Sequence, residues 1–310
     1  GTTMGNDIRY MPEKLDQASN FANKIWNAAK FIINSNVDEN DIKELKLTSK
    51  KLRKEVLMMI HNAKSGHPGG SLSAVDILNV LFTKCMNCYP ECEKNPNYKN
   101  RDRFVLSKGH ASATLYAVMA HCGYFDEKEL MTFRKLGTRL QGHPSKQLLN
   151  GIEVSTGSLG QGLSIACGMA LGLRLDGINS KVYVYIGDGE LEEGNIWEAV
   201  MNASCNKLNN IIAVIDRNML QIDGSTEDIK GLGNIKEKFE AFGWNGVEID
   251  GHNEQQIYTA IEQGKNSTKP FVIVANTVKG KGVSFMENNV NWHGKAPNDN
   301  ELAAALKELE

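Results

Sequence analysis

The sequence lacks a long hydrophobic run: no stretch approaches the ~18–20 apolar residues that a membrane-spanning helix needs. The polar N-terminus also lacks the apolar segment of a secretory signal. An excess of charge is missing too, because 35 lysines and arginines against 37 acidic residues leave a net charge of −2. A membrane and nucleic acid are therefore not expected partners, and a cytoplasmic location is expected.

Cysteine is sparse, with six residues in a chain of 310, and a cytosolic enzyme is not expected to form disulfides. Cys85, Cys88 and Cys92 have a spacing that can hold zinc or an iron–sulfur cluster. A complete site needs a fourth ligand, and no nearby cysteine or histidine supplies one in the sequence. Free thiols at a helix end and in a loop are the preferred interpretation, and a metal site stays open as the alternative.

Apolar residues make up 41% of the chain and charged residues 23%, as in an ordinary globular protein. Short apolar strands alternate with helices, which favours an α/β fold with a mainly parallel sheet and helices on both faces. Ligands of such sheets bind at the carboxyl ends of the strands. The predicted strands are 103–106, 182–186, 211–215, 247–249 and 271–277. The predicted helices are 41–61, 73–86, 111–122, 165–175, 195–207, 235–242 and 254–264, with a further helix capped by Asp126.

Residues 187–218 begin with Gly-Asp-Gly and end in asparagine, and both ends follow predicted strands. A diphosphate bridged to Mg²⁺ or Ca²⁺ needs oxygen ligands at such a place. Asp188, Asn218 and the carbonyl of Leu220 are therefore the candidate metal ligands. The amide of Gly189 and the helix start that follows are expected to face the phosphates. A polar strand–turn–helix without a ligand is the alternative.

This segment resembles the thiamine diphosphate signature, and the motifs around it resemble those of transketolase. The motifs occur in the family's order, and the resemblance runs from about Leu47 to about Pro297. The motifs are residues 65–70 (SGHPGG), 107–110 (SKGH), 142–144 (GHP), 156–162 (TGSLGQG) and 187–218. The resemblance implies an enzyme that transfers a two-carbon ketol unit from a ketose phosphate to an aldose phosphate.

The resemblance also implies roles for individual residues. Ketol transfer moves protons near neutral pH, where histidine changes its charge. The histidines expected at the reacting carbon and the sugar hydroxyls are His67, His110, His143 and His293. The residues expected to bind the cofactor are Gly157, Leu159, Gly189, Glu193, Asn218 and His293. Of these, Glu193 matches a position in an acidic network at the family's subunit interface.

Transketolases carry a diphosphate-binding, a pyrimidine-binding and a C-terminal domain in one longer chain, and this chain matches only the first. We therefore expect the N-terminal subunit of a split transketolase, which is active only with a C-terminal subunit that carries the pyrimidine-binding domain. Thiamine diphosphate with Mg²⁺ (or Ca²⁺) would lie between the two subunits, and the assembly would contain two copies of each chain. The turn 279–282 (KGKG) either contacts the diphosphate or is a solvated basic turn.

The predicted domains are a helical extension (1–36), a linker (37–46), the diphosphate-binding domain (47–297) and a C-terminal helix (298–310). Residues 1–36 resemble a stretch of bacterial valyl-tRNA synthetase, but no nucleotide-binding motif of that enzyme accompanies them. Three alternative functions stay open. They are a related enzyme that acts on a sulfosugar or a branched sugar phosphate, a 1-deoxyxylulose-5-phosphate synthase, and a non-catalytic RNA-binding fusion.

Overall fold

Residues 37–90 and 98–310 are the part of the chain that this computed structural model describes. The helix predicted within residues 1–36 and Cys92 lie outside the described residues. The first described helix, α1 (Glu39–Ala63), begins inside the predicted linker, so most of residues 37–46 are helical. Glu39 and Asp41 place carboxylates in its first turn, which the positive end of the helix dipole favours, and Asp41 also accepts a hydrogen bond from Lys84.

The sheet follows the predicted alternation of strands and helices. In the described residues its strand order is β1-β2-β3-β7-β6, and every neighbouring pair is parallel. The mainly parallel α/β fold is thus confirmed. A separate two-stranded hairpin, β4–β5, was not predicted. The strands are β1 (Arg103–Leu106), β2 (Val182–Gly187), β3 (Ile211–Arg217), β4 (Leu220–Gln221), β5 (Gly224–Ser225), β6 (Asn245–Asp250) and β7 (Phe271–Asn276).

The helices differ from the predicted ones mainly in the first third of the chain. The predicted helix 73–86 is divided between a short helix and a wider π-helical turn, Leu81–Cys85. Asp126 caps a helix as predicted, but this helix, Glu127–Thr132, is of the 3₁₀ type. The remaining α-helices of the described residues are α2 (Pro68–Leu72), α3 (Val75–Val80), α4 (Ser112–His121), α5 (Gln161–Leu175), α6 (Gly194–Cys205), α7 (Thr226–Lys230), α8 (Ile235–Ala241), α9 (Glu254–Lys265) and α10 (Asp299–Glu308). Short 3₁₀ helices also occur at Tyr98–Asn100, Gly109–Ala111, Gly189–Glu192 and Val290–Trp292.

Helices cover both faces of the sheet. Successive side chains of a strand point to opposite sides, and in β2 and β3 both sets are buried, so both faces need a covering layer. Val182, Val184 and Ile186 of β2 pack in one core with side chains of α5, α6 and α8. Tyr183 and Tyr185, on the opposite face, are also buried, and α9 contacts β3, β6 and β7. Each such side chain contributes roughly 1.5–3 kcal/mol when fully buried. A one-residue slip would reverse the faces, so burial on both sides fixes the register.

None of the helices described here combines the length and the apolar character that crossing a membrane requires.

The carboxyl ends of three strands are joined by a fully buried ion pair. Lys108, just after β1, donates from Nζ to Asp216 Oδ2 at 2.5 Å, and Asp216 lies at the end of β3. Asp216 also accepts hydrogen bonds from Ser73, at 2.7 Å, and from Thr277 after β7. Burial alone would raise the pKa of Asp216, but Lys108 and these hydroxyls hold it below its usual value. The same Lys108 Nζ donates to the carbonyl of Gly70 at 3.0 Å.

We predict that Lys108→Met lowers the free energy of unfolding by about 3 kcal/mol, because it leaves the Asp216 carboxylate buried without a counter-ion. Urea denaturation at pH 7 measures this change. The matched control is Lys236→Met, which removes a surface partner of Glu240 and should cost less than about 0.5 kcal/mol. Equal losses in the two variants would contradict the structural importance of the buried pair.

Candidate functional site

A cavity of about 350 Å³ opens at the carboxyl edge of the sheet. All of the predicted site residues except Glu193 line it, although they come from segments that are far apart in sequence. The predicted residues that line it are His67, His110, His143, Gly157, Leu159, Asp188, Gly189, Asn218, Leu220 and His293. The structure thus brings the separate motifs together at one place, where parallel strands end and ligands of such sheets bind.

The SGHPGG motif directs His67 into this cavity. Gly66 has a φ of +151°, and a Cβ there would come within 2.9 Å of Ile60 Cγ1, so both conformation and space favour glycine. Pro68 begins α2 at the helix position that suits proline. His67 precedes it in the N-cap position, but its side chain makes no capping hydrogen bond. The imidazole is therefore available to the cavity.

Four imidazole rings form a cluster in the cavity. The ring centroid of His67 lies 5.3 Å from that of His110, 5.5 Å from that of His293 and 6.5 Å from that of His143. The rings of His110 and His293 are 5.5 Å apart. They are close enough for several of them to contact one small ligand.

Burial and nearby cations keep these rings neutral. Burial, followed by the charge of Arg134, lowers the pKa of His67 to about 4. Burial and then Lys279 lower the pKa of His293 to about 3. For His110, burial and Lys108 lower the pKa well below the usual value, and the pKa of His143 is lowered by burial and Arg134. A neutral imidazole offers one N–H donor and one acceptor nitrogen, which suits proton exchange with sugar hydroxyls.

The oxygen atoms of the candidate metal site lie at the ends of β2 and β3. Asp188 Oδ2 accepts a hydrogen bond from the Met219 amide at 2.6 Å, which ties the two strand ends together. Asn218 Oδ1 accepts from the Leu220 amide at 3.2 Å. Carboxylate, amide and carbonyl oxygens make a hard-ligand set that fits Mg²⁺ or Ca²⁺.

Two electrostatic features also fit a cation there. Burial and then the charge of Asp216 raise the pKa of Asp188 to about 6 although Arg217 Nη1 lies 3.8 Å from its Oδ2, so this arginine compensates the carboxylate only in part. The ammonium group of Lys279 donates to the Leu220 carbonyl at 2.8 Å and lies 3.0 Å from His293 Nδ1. A positive group therefore already contacts one of the candidate metal ligands.

The segment that carries Lys279 is held by a second buried ion pair. Arg53 donates two hydrogen bonds to the carboxylate of Asp76, at 3.0 and 2.5 Å. His252 Nε2 accepts from the Val278 amide at 2.8 Å, so its proton is on Nδ1, which donates to Asp76 at 2.7 Å. This chain of hydrogen bonds fixes the backbone next to Lys279.

The TGSLGQG loop forms another wall of the cavity. Gly157 has a φ of +145°, and a Cβ there would lie 3.1 Å from Cγ of His143, so glycine lets the loop approach that ring. Leu159 is 37% exposed and lines the cavity. An apolar side chain exposed at a cavity wall is available to pack against a ligand ring.

Glu193 lies outside the set of cavity-lining residues. It is an exposed residue before α6 and packs beside Gly160. Glu190 is a buried acid that lines the cavity and accepts hydrogen bonds from Ser107, at 2.5 Å, and from the Gly160 amide, at 2.8 Å. Glu190 thus joins the loops, and Glu193 faces outward.

Sequence reasoning assigned no role to three buried charged residues of this region, namely Lys108, Asp216 and Glu190. A weak signal existed for Asp216, because an acid at the end of an otherwise apolar strand needs a buried partner. Lys108 and Glu190 lie inside or beside recognised motifs, but their partners are distant in sequence.

Of the three closely spaced cysteines, the structure describes Cys85 and Cys88. Cys85 and Cys88 are free thiols, and burial raises their pKa to about 12 and about 11. Metals bind the thiolate form. Because burial favours the protonated thiol at both positions, these cysteines are better suited to packing in the core than to binding a metal. In the part of the chain with assigned structure, no group of three or more His, Cys, Asp or Glu side chains is arranged to hold a metal.

A family profile described as "Transketolase, thiamine diphosphate binding domain" matches residues 46–309. The 6-deoxy-6-sulfo-D-fructose transketolase subunit SqwG of Clostridium sp. (strain MSTE9) is 44% identical over 260 residues, which are 84% of this chain and 94% of that protein. A subunit of the apulose-4-phosphate transketolase of Phocaeicola vulgatus is 38% identical over 269 residues, which are 86% of this chain and 94% of that protein.

The fold is similar to that of a solved transketolase from Campylobacter jejuni subsp. jejuni. The TM-score is 0.80 at 38% identity, and the match covers 86% of this chain and 43% of that one. The two transferase subunits are thus matched over nearly their whole length, whereas this chain spans less than half of the longer transketolase.

We predict that His67, His110 and His293 stay neutral from pH 7.5 down to pH 5.5, whereas an unfolded histidine titrates near pH 6.5. NMR of ¹⁵N-histidine-labelled protein measures each ring directly.

The lowered pKa values of these histidines also affect stability: they contribute stability at neutral pH that is lost as pH falls below about 6.5. The raised pKa of Asp188 has the opposite effect between about pH 6 and 4, so denaturation alone would not separate them. A titration midpoint above pH 6 for any of the three rings would contradict this prediction.

Proposed function

The chain belongs to the transketolase thiamine diphosphate-binding domain family, as its motifs predicted, and from this premise we propose that it is the diphosphate-binding subunit of a two-chain transketolase. The observation that carries the proposal is the cavity at the carboxyl edge of the sheet. It combines a cluster of neutral histidines with hard oxygen ligands and buried lysines. Its contents suit a polyanionic cofactor and a sugar substrate.

When bound, thiamine diphosphate supplies the carbon nucleophile and the electron sink for ketol transfer. Asp188, Asn218 and the Leu220 carbonyl would hold Mg²⁺ (or Ca²⁺) beside the diphosphate. The Gly189 amide, which donates to Asp188 Oδ1 at 2.9 Å in the free chain, would be available to the phosphates once Asp188 binds the metal, and the positive charge of Lys279 would attract the diphosphate. Gly157 and Leu159 would contact the cofactor rings.

The histidines act on the sugar. His67, His110, His143 and His293 are neutral rings that donate hydrogen bonds to substrate oxygens or take protons from its hydroxyls. The ring centroid of His67 lies within 6.5 Å of the other three centroids. Several of the rings can therefore contact the same substrate and act on neighbouring oxygens. Burial and the nearby cations favour the neutral form of each ring, so an imidazolium formed by taking a substrate proton would readily give that proton up again.

The partner is a C-terminal transketolase subunit with a pyrimidine-binding domain, and the assembly contains two copies of each chain. This proposal is supported by the two relatives of similar length, which are named as subunits. It is also consistent with the outward position of Glu193, which suits a contact between subunits better than a contact with the cofactor.

The sugar specificity is proposed from the same relatives. One is named for 6-deoxy-6-sulfo-D-fructose and the other for apulose 4-phosphate. We therefore propose a donor of this class, a modified ketose with a sulfonate or phosphate at its far end, beside the ordinary ketose phosphates. Purified complex assayed with fructose 6-phosphate, its sulfo analogue and apulose 4-phosphate distinguishes them by kcat/KM.

We predict that the chain alone transfers no ketol unit and that activity appears when the partner subunit is added. The physical reason is that, in the family, the glutamate that activates the cofactor belongs to the pyrimidine-binding domain, which the partner would supply. Ketol transfer to ribose 5-phosphate is measured for the two subunits separately and for their mixture, with thiamine diphosphate and Mg²⁺ present. Appreciable activity of the single chain would refute the split arrangement.

We predict that Asp188→Ala abolishes metal-dependent binding of thiamine diphosphate to the assembled complex, because it removes the charged metal ligand. Titration calorimetry with and without Mg²⁺ gives the affinities. The control is Asp176→Ala, which removes an exposed carboxylate after α5. Unchanged cofactor affinity in Asp188→Ala would refute the metal assignment.

A further inference from the structure

Arg134 lies outside the motifs, yet its guanidinium contacts two of the histidine loops. Its backbone has a φ of +58°, which is uncommon for a residue with a side chain. The Arg134 amide donates to the Leu140 carbonyl at 2.9 Å and closes a tight loop. The surrounding structure therefore holds Arg134 in a conformation that its own backbone disfavours.

The guanidinium bridges the His67 loop and the His143 loop. Nη1 donates to Ser65 Oγ at 3.0 Å. Nη2 lies 3.4 Å from His67 Nδ1 and donates to the carbonyl of Gly142, also at 3.4 Å. One planar group thus contacts the residue two places before His67, His67 itself and the residue before His143.

Gly142 provides a second, independent observation. A Cβ at this position would lie 2.8 Å from Cζ of Arg134, which is closer than real Cβ atoms approach, and 3.0 Å from its Nε, which is unusually tight. Gly142 does not have a positive φ. The glycine is therefore needed for the close approach of the guanidinium and not for its own backbone conformation.

The charge of Arg134 is also unusual. Burial lowers its pKa, and no carboxylate from the described segments is among the groups that act on it. Arg139, five residues later, instead donates two hydrogen bonds to Glu129, at 2.6 and 2.8 Å. An ion pair thus explains the position of Arg139 but not that of Arg134.

The contact determines the tautomer of His67. A guanidinium can only donate hydrogen bonds, so His67 Nδ1 must accept and the ring proton must be on Nε2. With Nδ1 occupied by Arg134, Nε2–H is the ring group left for a ligand in the cavity. His67 then acts toward a substrate oxygen as a hydrogen-bond donor.

We propose that Arg134 is a positioning residue of the site, which holds His67 with its proton on Nε2 and aligns the His67 loop with the His143 loop. Its effect on the reaction rests on the proposed transketolase function, whereas its effect on His67 does not. The two effects can therefore be tested separately.

The first experiment is NMR on the full chain without partner or cofactor, with ¹⁵N-labelled histidine, to assign the tautomer of His67. The wild type should show the Nε2–H form. In Arg134→Met we expect a mixture of tautomers. We also expect the pKa of His67 to rise, although His110, His143, His293, Lys108 and Lys279 still act on this ring. The matched control, Arg139→Met, should leave His67 unchanged.

A second variant disturbs the same contact by changing Gly142 instead of Arg134. Gly142→Ala keeps Arg134 but displaces the guanidinium, and the backbone at 142 accepts alanine. It should reproduce the mixed tautomers of Arg134→Met, while Arg134→Lys should keep the charge and still lose the fixed tautomer. Circular dichroism verifies that each variant is folded. An Nδ1–H wild type, or an unchanged tautomer in both folded Arg134→Met and Gly142→Ala, would overturn the proposal.

The kinetic experiment uses the complex with the partner subunit. Arg134→Met should lower kcat by about 10- to 100-fold, as misplaced catalytic groups do, with a much smaller change in KM, and Arg139→Met should match the wild type. A wild-type complex without ketol transfer would refute the proposed function and leave the tautomer result intact. An altered tautomer with unchanged kcat would overturn the positioning role.

Discussion

The buried pair of Lys108 and Asp216 is the interaction on which the cavity depends. Neither charge could remain in this apolar setting alone, because the cost of desolvating an unpaired ion exceeds what packing returns. The hydroxyls of Ser73 and Thr277 complete the coordination of the carboxylate, and the lysine reaches the Gly70 carbonyl. The Lys108–Asp216 pair therefore connects the ends of β1, β3 and β7 with the loop before α3. The histidines surround this pair.

The same pair explains the electrostatics of the cavity. Burial lowers the pKa values of His110 and His293, and the charges of Lys108 and Lys279, respectively, lower them further, so Asp216 does not screen Lys108 completely. The cavity thus combines neutral imidazoles with positive charge near the strand ends and one incompletely compensated carboxylate, Asp188. A polyanion together with a divalent cation matches this distribution better than a neutral ligand does.

The sequence allowed the sheet to be predicted, and it identified most of the segments that line the cavity, because both depend on local patterns. The strand ends that carry Asp188 and Asn218 follow continuous apolar runs, and glycine-rich motifs mark the loops. What could not be predicted depends on contacts between distant residues. Asp216 directly follows the predicted strand 211–215 but is not one of the motif residues with an assigned role, and Arg134 lies in a loop without a motif. The π-helical turn at 81–85 has the same apolar spacing as an ordinary helix, so periodicity does not distinguish them.

The ion pair at the strand ends also has a consequence for the order of folding. Its two residues are 108 positions apart, and Ser73 and Asp216 are 143 apart, so no local segment can form this centre. Contacts of such long sequence separation form only after large loops have closed, and parallel sheets gain them slowly. We therefore expect the two charges to be dehydrated late in folding, and the cavity to form only together with the completed sheet.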